Sequence, residues 1–326
     1  MHNCTEAAIY IDFLPQHISS SIHTTICVLS CIINVLFIKV CWKDLPCHKN
    51  FRMLILALVF ANIVHSLAYG LMLISHLWKV LVTREPCDVL VSALYCYIMR
   101  FITSTSYTAH TTVLLGLLLE RVIATTLAAT YEKRTAVIGY ILLLVSLVSA
   151  ILLSIAKQYR YCISESSYYC SSLTTENYSN VLVVQIFLFL MLVIAVIVFG
   201  LLIFLNRKIR GRISHHVSKK YQATENLRAL RVLFPLLILH FIGYPLYFVA
   251  SIVLMWMKEK LGEMMFRILL SALYFPSHYC LLSTLVLWYI IRKHKKQRQN
   301  EPFCSASQGN RREDDVYFQN YRSMWH

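Results

Sequence analysis

Leu117-Leu118-Leu119-Glu120-Arg121-Val122-Ile123-Ala124-Thr125 sets an acid beside a base at the end of an apolar run that begins at Val113. Two adjacent charges there are costly against lipid and tolerable against other helices or at a membrane edge. The run therefore reads as a membrane-crossing helix whose charged end faces protein, and the rest of the chain tests that reading.

Of 326 residues, 58% are hydrophobic and 14% charged, where a soluble domain is nearer a quarter charged. Mean hydropathy is +0.58. The apolar runs are continuous rather than alternating, which predicts helices and not a barrel. Seven are long enough to cross about 30 Å of hydrocarbon: Ser19–Cys41, Met53–Leu77, Val89–Ile123, Thr135–Ala156, Val181–Leu205, Leu227–Trp256 and Met264–Ile291. The expected fold is an all-α seven-helix membrane bundle over 19–291. A tail (1–18) precedes it, and a basic segment with a disordered tail (292–326) follows. The N-terminus lacks a basic region and a cleavage site, so no signal peptide is expected.

Charge sets the orientation. Arg207, Lys208, Arg210, Arg212, Lys219 and Lys220 follow the fifth run, and Arg292-Lys293-His294-Lys295-Lys296 follow the seventh. The loops after the first and third runs are also basic, while the alternate loops carry both signs. The positive-inside rule then puts the N-terminus outside and the C-terminus inside, which needs an odd number of crossings. The net charge of +15 is accounted for by these clusters, so no nucleic-acid partner is expected. Two glycosylation sequons, at Asn3 and Asn177, fall on the side assigned outside.

No phosphate loop, zinc spacing or nucleophile motif is present, and Glu120 is the only acid deep in a run. No enzyme, cofactor or metal site is expected. Lone histidines at His65, His110 and His240 read as interhelical hydrogen-bond partners rather than ligands. Of eleven cysteines, Cys87, Cys96, Cys162 and Cys170 lie on the outer, oxidising side. Three connectivities are open to them, with the loop before the fifth run expected to be tied to the start of the third. Cys4 is left over as a fifth thiol.

Several short motifs in register resemble rhodopsin-like G-protein-coupled receptors, and more closely the nematode serpentine chemoreceptors of the Sra superfamily (classes alpha and alpha-beta). Glu120-Arg121-Val122-Ile123-Ala124-Thr125 resembles that group's Glu-Arg-x-x-Ala-Thr, with Tyr131-Glu132 following. Cys87-Asp88, Cys96 and Arg100 resemble the start of its third span, and Cys96 precedes Arg121 by 25 residues. Pro276-Ser277-His278-Tyr279 matches a Pro-x-x-Tyr motif, and Pro245 sits where a sixth-span kink belongs. Asn34 matches a first-span Asn, and Asn62 stands where the wider family has Asp. The second span thus lacks a carboxylate, the fourth lacks Trp, the fifth lacks Pro, and Phe275 replaces an Asn.

The resemblance implies a plasma-membrane chemosensory receptor, placed in sensory cilia by kinship. Its partners would be a small-molecule ligand outside, a heterotrimeric G protein inside, and the bilayer. Arg121 would be a switch, pairing at rest with Glu120 and with polar groups at the foot of the sixth span. Pro245, Pro276 and Tyr279 would let the sixth and seventh spans move. The ligand pocket would lie among the outer halves of spans three, five, six and seven. Arg100, Thr103, Ser104 and Tyr107 share one helical face there, joined by Tyr244 and Tyr247. Arg100 either binds an acidic ligand group, or snorkels outward or pairs with a loop carboxylate, the last two being the better supported. A seven-span ligand-gated channel of inverted topology and a small-molecule transporter are the competing readings.

Overall fold

The computed structural model of the chain describes residues 2–41, 48–83, 85–127, 131, 137–161, 169–171, 174, 176–211 and 217–300. The described residues form α1 (His2–Ile11), α2 (Leu14–Cys41), α3 (Lys49–Val82), a 3-10 turn (Pro86–Val89), α4 (Ala93–Thr126), α5 (Val137–Gln158), α6 (Tyr178–Gly211), α7 (Val217–Ala272) and α8 (Phe275–Asn300). Helices suit these runs because a helix satisfies its own backbone where water is absent.

The seven expected runs fall on α2 to α6, on the first part of α7, and on the end of α7 with α8. Five stretches of described helix are long and apolar enough to cross a membrane: Leu14–Val40, Lys49–Val82, Val137–Gln158, Tyr178–Gly211 and the joined Gln222–Lys293. Drawn straight, the last would be about 108 Å long, several bilayer cores. It reverses at Gly262, whose φ of +72° lies in the left-handed region open to glycine. Leu254, Phe266 and Leu270 pack together across the reversal. α4 is absent from the apolar set because its inward face is polar: Thr108, His110, Thr111, Glu120 and Arg121 are all buried.

α4 is the centre of the bundle, touching α3, α5, α6 and α7. Its contact with α5 is made close by small residues. Gly139, Ser146, Ala150 and Ser154 form a buried stripe on α5, and Ser146 Oγ donates to the Thr112 carbonyl at 3.1 Å. A Cβ on Gly116 would lie 2.8 Å from Ser146 Oγ. Small residues are the usual means of close helix approach in lipid. Outward faces stay apolar, as at Leu144, Leu152, Ile194 and Leu201.

The interior changes character along the bundle. Toward the Glu120–Arg121 end it is aliphatic, built on Leu54, Leu114, Leu117, Leu118, Leu233 and Leu287. Toward the other end it is aromatic, with Tyr69 and Tyr274 beside Cys96 and Cys170.

Two expectations about the ends change. Within the expected tail α1 covers His2–Ile11, and α2 begins at Leu14 rather than near Ser19. Pro15 sits in its first turn, where a missing N–H costs nothing. Cys4 is not a leftover thiol: it is bonded to Cys87, because α1 folds back over the bundle and buries Ala7 and Tyr10 against Tyr169. The basic segment after Ile291 continues α8 to Asn300. The expected disordered tail after that lies outside the described residues.

Candidate functional site

The disulfide Cys96–Cys170 joins the start of α4 to the segment before α6. Cys162 lies outside the described residues. Beneath this link is a cavity open at its mouth, with about 810 Å³ of empty space counted out into the opening. α4 lines it with Arg100, Thr103, Ser104 and Tyr107, and α7 with Tyr247. Tyr244 does not line it. That ring lies one turn deeper, in a smaller space of about 300 Å³ shared with Tyr107 and His240.

Arg100 does not snorkel, and among the described residues it meets no loop carboxylate; Glu165 lies outside them. Arg100 is 3% exposed, and Nε donates to the Cys170 carbonyl at 2.7 Å, with Nη2 on the same oxygen. Its guanidinium lies 5.5 Å from the centre of the Tyr69 ring and 6.0 Å from that of Tyr169. The disulfide carries the carbonyl to the arginine. Breaking it by Cys170→Ser is therefore expected to cost about 2–4 kcal/mol, given the long loop it closes, and to cut surface expression. Equal loss from Cys96→Ser and from the double variant checks that the bond itself is responsible.

Three lining residues that pattern reading did not find are Lys157, Gln185 and Tyr274. Lys157 is 4% exposed, with Nζ 3.1 Å from Thr108 Oγ1 and 4.4 Å from the centre of the Tyr107 ring. A signal for it exists in the sequence. The small stripe Ser146, Ala150, Ser154 continues at the next helical step to Lys157, which places the lysine on the inward face. Gln185 Nε2 donates to the Tyr107 hydroxyl at 2.8 Å.

Below the cavity lies a layer of buried histidines and tyrosines. His65 Nδ1 is 3.2 Å from the Thr103 carbonyl, and its Nε2 is 3.3 Å from the Tyr274 hydroxyl. His110 Nδ1 and the Tyr244 hydroxyl are 2.6 Å apart, and Thr111 Oγ1 and His240 Nε2 2.9 Å. All three histidines thus bridge helices, and no group of three metal-ligating side chains occurs among the described residues. Tyr279 is fully buried with its ring 4.9 Å from that of His110, and its hydroxyl has no hydrogen-bond partner among the described residues. Pro276 follows the break between α7 and α8 and touches the cavity. Alongside, Asn62 Nδ2 reaches Asn34 at 3.3 Å, Ser283 at 3.0 Å and Thr284 at 3.1 Å. This ties α2, α3 and α8 with amides and hydroxyls alone.

At the far end Glu120 and Arg121 are 0% and 1% exposed. The Arg121 guanidinium forks onto the Glu120 carboxylate and donates from Nη1 to Asn226 Oδ1 of α7 at 2.9 Å. Asn226 Nδ2 donates to Thr125 at 3.1 Å, as does Asn206 at 3.0 Å. The Tyr131 hydroxyl donates to Glu120 and accepts from Asn50 at 3.0 Å. Burial and then the Glu120 charge push the Tyr131 phenol above its ordinary range, so it stays a neutral donor. Glu132 lies outside the described residues.

Of the two sequons, one has a described side chain. Asn177 is fully buried. Its Oδ1 accepts from the Thr174 amide at 2.8 Å and its carbonyl accepts from the Val181 amide at 3.0 Å, where it starts α6. In the folded chain that side chain is engaged in the turn that starts α6, and an endoglycosidase shift unchanged in Asn177→Gln would show that this sequon is unused. The Asn3 side chain lies outside what is described.

A family model described as "Serpentine type 7TM GPCR receptor class ab chemoreceptor" matches residues 1–326. Three curated relatives from Caenorhabditis elegans are similar to the chain. Serpentine receptor class alpha/beta-14 is 26% identical over 260 residues, covering 74% of this chain and 64% of that protein. Serpentine receptor class alpha-12 is 22% identical over 306 residues, 92% of each. Serpentine receptor class beta-16 is 24% identical over 222 residues, covering 67% of this chain and 64% of that protein. The chain thus spans just under two thirds of the length of the first and third.

Proposed function

The chain belongs to the serpentine class ab chemoreceptor family, and from that premise we propose that it is a seven-span plasma-membrane receptor coupling an extracellular chemical to a heterotrimeric G protein. The N-terminus and both disulfides lie outside, and the C-terminus inside. One observation carries the reading: the same two helices build both ends of the path. α4 brings Arg100 and Tyr107 to the cavity and Glu120 and Arg121 to the far end, about 32 Å along its axis. α7 brings Tyr247 to the cavity and Asn226 to Arg121.

A ligand that moves α7 by its contacts at Tyr247 biases the bond at Asn226, which is how a two-state helix movement is driven. Arg121 is held by Glu120 and Asn226 at rest. Outward movement of the sixth span about Pro245 frees the guanidinium for the G protein. The buried Tyr279 hydroxyl gains a partner as α8 turns below Pro276. His110→Phe, which keeps the ring and loses the bond to Tyr244, is expected to leave surface expression intact and shift basal signalling. An unchanged basal level would remove the histidine layer from the path.

The reading is tested by tagging both ends in intact cells and recording G-protein dissociation by energy transfer. An accessible N-terminal tag, a hidden C-terminal tag and basal G-protein activation above vector control support it. The reverse accessibility would return the inverted channel, which the receptor names of the relatives do not favour, nor do they favour a transporter.

A further inference from the structure

Lys157 is a cation buried among uncharged groups. Its ammonium has three donors, and the contacts it makes are one hydroxyl, Thr108, and the face of Tyr107. Among the described residues no Asp or Glu lines the cavity it borders, and it forms no ion pair. Arg100, the second cation on the same cavity, spends two of its five donors on one carbonyl. Among the described residues, two basic side chains therefore face one cavity with no acidic side chain on its wall. Burying an unpaired ammonium is costly, and an anionic group brought into the cavity would offset that cost. The rest of the wall mixes hydroxyls and amides, such as Ser104 and Gln185, with an apolar part that includes Leu182, Phe248, Ile252 and Leu270.

We propose that the cavity takes a small organic carboxylate, its acid group on the Lys157 ammonium with Arg100 as the second cation, and its apolar body among Leu182, Ile252 and Leu270. Thr108 and the Tyr107 ring orient the ammonium, and the Cys170 carbonyl holds the guanidinium in place. This rests on the reading of the cavity as the ligand site.

The test uses the full chain purified in lipid nanodiscs and ligand-observed saturation-transfer NMR, with empty nanodiscs as blank. The probes share one skeleton: 3-phenylpropanoate, 3-phenylpropan-1-ol and 3-phenylpropan-1-amine. The expected result is that the carboxylate binds at least about tenfold more tightly than the other two. It should lose at least about tenfold in Lys157→Gln and keep its affinity in Lys157→Arg, as for one buried charge pair. Equal binding of the alcohol or amine, or undiminished carboxylate binding in Lys157→Gln, overturns the anion assignment and leaves the cavity a ligand site. No binding of any probe to the unmutated chain overturns both.

A second measurement needs no probe. Without ligand, Lys157→Gln is expected to raise the melting temperature, because it removes an uncompensated buried charge. A fall, or loss of folding, shows that the chain itself neutralises Lys157 and overturns the proposal.

Discussion

Glu120→Gln raises ligand-independent signalling at equal surface expression and lowers the stability of the purified receptor by about 3 kcal/mol. The second effect follows from burial. Arg121 is 1% exposed and its guanidinium forks onto Glu120, so neutralising the acid leaves a buried cation short of compensation, a change worth about 3–5 kcal/mol. The first effect follows from position. Glu120 holds Arg121 in the orientation that reaches Asn226 on α7, and a looser guanidinium weakens that tie.

Asn226→Ala separates the two effects. It deletes one hydrogen bond to a charged group, worth about 1.5–3 kcal/mol, and leaves the ion pair whole. If the bond exists only at rest, each 1.4 kcal/mol lost multiplies a small active fraction by about ten. Asn226→Ala should therefore raise basal signalling strongly with the smaller stability loss. Basal signalling that follows stability, so that Glu120→Gln exceeds Asn226→Ala in proportion, would mean that mere loosening is being read. No rise in either variant would sink the lock.

Gly243→Val abolishes surface expression, and Phe275→Ala restores it. A Cβ built on Gly243 would lie 2.1 Å from the Phe275 ring, far inside contact distance and against a ring packed on Tyr244 and Tyr279. Gly243 lies on α7 between Pro235 and Pro245, and Phe275 opens α8 just after the break. Neither backbone can retreat cheaply. Overpacking of this kind costs about 3 kcal/mol or more.

The double variant removes the ring that the new side chain meets, so the two changes should be strongly non-additive. Additive losses would mean that the glycine is required for α7 itself. The pair also accounts for a departure seen in the sequence. Phe275 stands where an Asn precedes Pro in the wider family, and it works as an apolar knob seated on Gly243.

The sequence by itself determined the helices, their approximate limits and the polar face of α4. Apolar runs of this length have one way to satisfy their backbone in lipid, and a residue every third or fourth position marks a face whatever surrounds it. Arg100, Thr103, Ser104 and Tyr107 were legible as one face for that reason. What lies across from a face is not periodic, and only the tertiary structure decided it. Asn226 was expressed in the sequence only as some polar group at the foot of the sixth span. Its place against Arg121 depends on how α7 leans on α4. Tyr244, one turn from Tyr247, is drawn into the histidine layer and away from the cavity. Cys4 finds Cys87 because α1 folds back, which no spacing announces. Lys157 looked like a loop charge until α5 was seen to pack on α4 through its small residues. The close approach that those residues permit carries the lysine inward to the cavity wall.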